Sequence, residues 1–93
     1  MVKLKKIESS AIQAIGYNPD SQKLYILFHE SGVYRYNNVP PTLFEQLQQA
    51  QSVGKFFSQY IKPHKIQYPP KLLLAEVRPK SVEQIEALLD PTQ

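Results

Sequence analysis

No cysteine occurs among the 93 residues. That excludes a disulfide framework and any thiolate-held metal, and it fits a cytoplasmic setting. Histidine is scarce: His29 and His64 stand apart, with no carboxylate at ligand spacing, so the sequence offers no metal site. Only three glycines are present, and Gly54-Lys55 lacks the GxxxxGK spacing of a phosphate-binding loop, which leaves nucleotide hydrolysis unsupported. There is no long apolar run. Lys3, Lys5 and Lys6 lead into no hydrophobic stretch, so neither a signal peptide nor a membrane span is expected. Ser9, Ser10, Asp20 and His29 supply the residue types of a hydrolytic triad but no nucleophile elbow. No catalytic residue and no cofactor is therefore assigned, and the sequence reads as a non-enzyme.

What is present is a globular chain with 42% apolar residues and a formal charge of +3, enough for one domain with one modest core. The mild excess of lysine and arginine permits contact with phosphates without requiring it. Residues 11–17, 23–29 and 33–38 are rich in β-formers and predict three strands. Asn18-Pro19-Asp20-Ser21-Gln22 and Glu30-Ser31-Gly32 are the turns between them, Gly32 suiting a left-handed backbone position. A five-residue first loop sets Tyr17 opposite Lys23, and a three-residue second loop sets His29 opposite Val33. One sheet face then carries Ile12, Ala14, Leu24, Ile26, Phe28, Tyr34 and Tyr36. The other shows Gln13, Ile15, Tyr17, Lys23, Tyr25, Leu27, His29, Val33, Arg35 and Asn37.

Pro40-Pro41 stops the third strand and opens a helix, with Thr42 to Glu45 as a capping box. Ser52 caps a second helix whose apolar side is Phe56, Phe57, Tyr60 and Ile61. Both are expected on the Tyr34/Tyr36 face, because a three-stranded sheet does not persist with that face wet. Beyond Pro63 the chain turns proline-rich. Ile66 to Pro70 reads as extended and polyproline-like, Leu72 to Val77 as a strand or docked segment, and Ser81 to Gln84 as a capping box opening a last helix. The expected class is α+β: a three-stranded antiparallel sheet with two helices packed on one face, then an extended segment and a C-terminal helix. The division is residues 1–66 as the domain and 67–93 as a dependent extension.

The string Glu8-Ser9-Ser10-Ala11-Ile12, Ile15-Gly16-Tyr17-Asn18, Gly32-Val33-Tyr34-Arg35-Tyr36, Val39-Pro40 and Gly54-Lys55-Phe56-Phe57 resembles the KTSC domain over about residues 7–66. This family is named for its place at the C-terminus of some lysyl-tRNA synthetases and also occurs as a small stand-alone bacterial protein. Its tyrosine-any-tyrosine signature is matched by Tyr34 and Tyr36; Gly32, Pro40, Gly54 and Phe57 complete the structural match. The resemblance implies no catalytic residue, and through the synthetase it implies RNA, either tRNA-like or single-stranded.

Two kinds of partner follow. In the first, the face opposite the helices binds RNA. Tyr17 and Tyr25 stack on bases beside Leu27, while Lys23, Arg35, Lys55, Lys62 and Lys65 meet phosphates. In the second, Ile15, Leu27 and Val33 form an apolar patch covered by the C-terminal tail, another protein or a second copy of the chain. No membrane partner is expected.

Overall fold

The computed structural model describes residues 3–76 and 80–89. Its centre is a five-stranded antiparallel meander in which each strand pairs with the next in sequence. The strands are β1 (Lys5–Lys6), β2 (Ile12–Asn18), β3 (Lys23–Phe28), β4 (Gly32–Tyr36) and β5 (Pro70–Leu74). The helices are α1 (Pro41–Gln49), α2 (Val53–Tyr60) and α3 (Val82–Leu88). The α+β class stands, but the sheet has five strands rather than three. β1 escaped the pattern because it is two exposed lysines; β5 overlaps the segment from Leu72 read as a strand or docked segment, but it begins at Pro70 within a proline-rich stretch and joins the sheet.

The β3–β4 hairpin pairs Phe28 with Gly32, Leu27 with Val33 and Leu24 with Tyr36. Each β3 residue thus meets a partner two residues earlier than expected, the loop still being three residues long, and an even shift leaves every side chain on its expected face. Gly32 has φ +91°, and a Cβ there would lie 2.1 Å from the Leu74 carbonyl oxygen. Glycine is thus required twice, for the left-handed turn and for the approach of β5.

The β2–β3 register corrects the sequence reading. Asn18, not Tyr17, pairs with Lys23. The Asn18 side-chain oxygen accepts from the Asp20 and Ser21 amides at 3.0 and 3.4 Å, and Gln22 takes φ 55°. Asn18 therefore ends the strand and folds its own turn, which shortens the loop by one residue. A one-residue slip reverses the faces: Ile15 and Tyr17 turn toward α1 and α2, and Ala14 turns away. An irregularity between Ile12 and Ala14 restores Ile12 to the α1–α2 side.

The sheet separates two apolar clusters. On one side Ile12, Ile15, Leu24, Ile26 and Tyr36 pack against Leu47 of α1 and Phe57 of α2. On the other, Ala14, Tyr25, Leu27 and Val33 pack against Val82, Ile85 and Leu89. The helices thus lie on both faces. The second face is covered by α3 of the same chain, while Leu72–Leu74 extend the sheet beside β4. The Ser81–Gln84 capping box forms as expected, with bonds of 2.8 and 3.1 Å. The Thr42–Glu45 box does not: Pro40 is the cap residue and makes no side-chain bond. Val82 and Ile85 of α3 and its cap residue Leu89 turn inward, while Leu88 is 55% exposed. Of the stretch expected as polyproline-like, Ile66 and Gln67 lie in a turn, Tyr68 in a bend, and Pro70 opens β5; Val77 lies outside the described residues. The Leu4 amide donates to the Glu86 carboxylate, tying the segment before β1 to α3.

Candidate functional site

A cleft of about 560 Å³ opens between the β3–β4 hairpin and α2. Ser52 sets up the helical wall by accepting the Lys55 amide at 3.3 Å. Gly54, Phe57 and Ser58 then recur at the helical spacing that turns them to one side, and all three line the cleft. A Cβ at Gly54 would meet only the Ser9 hydroxyl, at 3.0 Å, so the glycine serves close packing. The helix ends as the Ile61 and Lys62 amides both donate to the Phe57 carbonyl. His64 then donates to Ile61 and Tyr68 to His64. These turns carry Lys62 and Lys65 to the cleft, where both are exposed.

The floor is aromatic. Phe28 meets Tyr34 edge-on at 5.7 Å and Phe57 at 5.7 Å, and Tyr36 meets Phe57 at 5.1 Å. Tyr36 and Phe57 are buried, whereas Phe28 and Tyr34 are half-buried and face the opening. Burial pushes the Tyr36 hydroxyl up to about 12, the Tyr34 hydroxyl adding to the shift. At the hairpin end, His29 Nε2 donates to the Ser9 carbonyl at 3.0 Å, with Glu30 beside it. The arrangement pairs flat apolar surface with two cations. Among the described residues no three His, Asp or Glu side chains gather as a metal site would need. No helix among them is long and apolar enough to cross a membrane.

The expected contact residues divide. Lys62 and Lys65 reach the cleft, while Lys55 is exposed on α2 outside its lining. Tyr25 and Leu27 are 1% and 0% exposed, sealed under α3, and have no surface to offer a base. Burial raises the Tyr25 hydroxyl, an effect partly offset by the Arg35 guanidinium. Tyr17 lies flat on Phe44, with ring centres 4.4 Å apart and planes 12° apart, so its ring face is taken. Arg35 is opposite Tyr25 on the α3 side, and its Nε is buried without a hydrogen-bond partner. Lys23 opens β3 at the end away from the hairpin, about 17 Å along the strand from Phe28 at ~3.3 Å per residue. Neither Arg35 nor Lys23 is among the residues lining the cleft with Lys62 and Lys65.

Of the signature residues, Tyr34, Tyr36, Gly54 and Phe57 line the cleft; Gly32 shapes the hairpin and Pro40 caps α1. The sequence reading missed Ser58, Phe28 and His29 as site residues. Ser58 stands four residues after Gly54, a spacing that marks a shared helix face once Gly54 is known to border an opening.

The KTSC domain family model matches residues 8–68. An uncharacterised protein of Stutzerimonas stutzeri is 37% identical over 62 residues, covering 67% of this chain and 87% of its own. A Tsukamurella paurometabola protein is 42% identical over 60 residues, covering 64% of this chain and 90% of its own. A lysine–tRNA ligase of Nostoc sp. is 41% identical over 59 residues, 63% of this chain but only 10% of the ligase. The crystal structure of a KTSC domain protein from Yersinia pestis superimposes with a TM-score of 0.73 at 33% identity, over 78% of this chain and 99% of that one.

Proposed function

Because the chain belongs to the KTSC domain family, we propose that it is a non-catalytic RNA-binding module that docks through the lysine-bearing side formed by α2 and the turns after it. The observation that carries this reading is the cleft, where half-buried rings and the Lys62 and Lys65 ammonium groups share one opening. Rings that stack on bases beside lysines that neutralise phosphates are the elements of sequence-tolerant RNA binding. Lys55 adds charge on α2, outside the cleft lining. Similarity to a segment of lysine–tRNA ligases, enzymes named for action on tRNA, supports the choice of RNA.

The contact set is Lys55, Lys62 and Lys65 around the cleft. Tyr25 and Leu27 belong to the interior, and Tyr17 supports α1. Fluorescence anisotropy with labelled single-stranded RNA and with tRNA, across a salt series, tests the reading. The double substitution Lys62→Ala, Lys65→Ala is expected to weaken binding and lower the salt slope by about 1.4–1.8. Arg35→Ala is expected to leave the slope unchanged. No binding at low salt, or a slope indifferent to the two lysines, overturns the reading.

The competing reading is a protein-interaction or self-associating module. It needs an uncovered apolar face, yet Leu27 and Val33 already lie beneath α3. The β5 edge, where Leu72 is 47% exposed, is a surface open to such a partner. Light scattering on the full chain separates the two: a stable dimer favours the edge.

A further inference from the structure

We propose that the cleft seats a single unpaired nucleotide, its base against Tyr34 and Phe28 and its phosphate on Lys62 and Lys65. This rests on the RNA reading and goes beyond it, since lysines on a convex surface would bind duplex and single strand alike.

Size is the first argument. A volume of about 560 Å³ lies within the ~300–1,000 Å³ of pockets that hold small ligands. It has room for one nucleotide, whereas a stacked base pair cannot enter without leaving its helix. Rigidity is the second. Phe28 is held edge-on between Tyr34 and Phe57, and Phe57 is held by Tyr36. The rings are fixed before any ligand arrives, so little ordering is left to oppose binding.

Chemistry is the third. The aromatic floor is bordered by hydroxyls from Tyr34 and from the exposed lining residues Ser10 and Ser58, and a nucleobase presents a flat face together with polar edges. Charge then orients the ligand. Both lysines follow α2 and attract phosphate to that side of the opening. The phosphate is therefore directed to the α2 side. An acidic or phosphorylated peptide shares the anionic group but makes less use of the aromatic floor and the hydroxyls around it.

The experiment blocks the cleft without touching the core. Ser58 is exposed on α2 and lines the opening; its neighbour Gln59 is exposed and does not. Ser58→Trp, Gln59→Trp and the unmodified full chain are titrated against a labelled single-stranded RNA and a duplex of the same sequence, with circular dichroism confirming the fold. The expected result is a loss of about tenfold or more in single-strand affinity for Ser58→Trp alone, with duplex binding unchanged. In parallel, uridine and adenosine monophosphate are expected to shift the amide resonances of Gly54, Ser58 and Tyr34. If the unmodified chain binds RNA and Ser58→Trp binds it equally well, the nucleotide seat is overturned and the RNA reading survives. If the unmodified chain binds neither RNA, the RNA reading itself falls. Shifts at those amides from an aspartate-rich or phosphotyrosine peptide, with none from the nucleotides, reassign the cleft to peptide and overturn the proposal.

Discussion

The Tyr17 ring lies on that of Phe44, with centres 4.4 Å apart and planes 12° apart, and its hydroxyl donates to the Val39 carbonyl. One β2 side chain thereby joins the first helix to the loop that precedes it. The contact exists only because Tyr17 pairs with Leu24 and so faces α1. Tyr17→Phe keeps the stack and leaves the Val39 carbonyl without this donor, so a loss of about 1 kcal/mol in urea-unfolding stability is expected. RNA affinity is expected to stay the same. Weakened RNA binding with unchanged stability would return Tyr17 to the contact surface.

Gly32 is expected to resist even alanine. The added methyl combines a left-handed backbone with a 2.1 Å collision against the Leu74 carbonyl oxygen, which is backbone and cannot swing aside. Gly32→Ala should cost at least about 1–3 kcal/mol. Amide exchange across the β4–β5 pairing should quicken more than across β2–β3. Equal protection in both pairings would contradict the close approach.

The third helix is expected to hold the second core closed. Ile85 is fully buried against that face, and Ile85→Ala should cost about 2–5 kcal/mol by thermal or chemical unfolding. Ending the chain after Tyr68 uncovers Tyr25, Leu27 and Val33 together, and light scattering should then report association or precipitation. A truncated chain that stays monomeric would show that this face tolerates water.

Alkaline pH should loosen the α1–α2 side. Burial, assisted by Tyr34, raises the folded Tyr36 pKa from the ordinary 10 to about 12. The unfolded state therefore releases this proton first. Below pH 10 the group has no effect on stability; between 10 and 12 stability falls as pH rises. Tyr17 and Tyr25 are shifted in the same direction by burial and add to the decline. Unfolding midpoints across that window should drop less for Tyr36→Phe than for the unmodified chain. Identical profiles would mean the hydroxyl ionises freely.

Local chemistry determined much of this protein within the sequence itself. The Gly32 turn, the Ser52 and Ser81 caps, the β3–β4 faces and the placement of Tyr34 and Tyr36 beneath two helices all depend on residues close in the chain, where spacing sets geometry. Lys62 and Lys65 were legible as a basic cluster for the same reason. Tertiary structure alone decided the rest. Asn18 ended β2 by folding its own turn, and that single residue exchanged the faces of Ile15, Tyr17 and Ala14. α3 returned to cover Tyr25 and Leu27, and the cleft arose where α2 met a hairpin whose turn lies more than twenty residues earlier in sequence. A register and a long-range contact depend on which distant surfaces bury each other best, and periodicity along one segment carries no record of that partner.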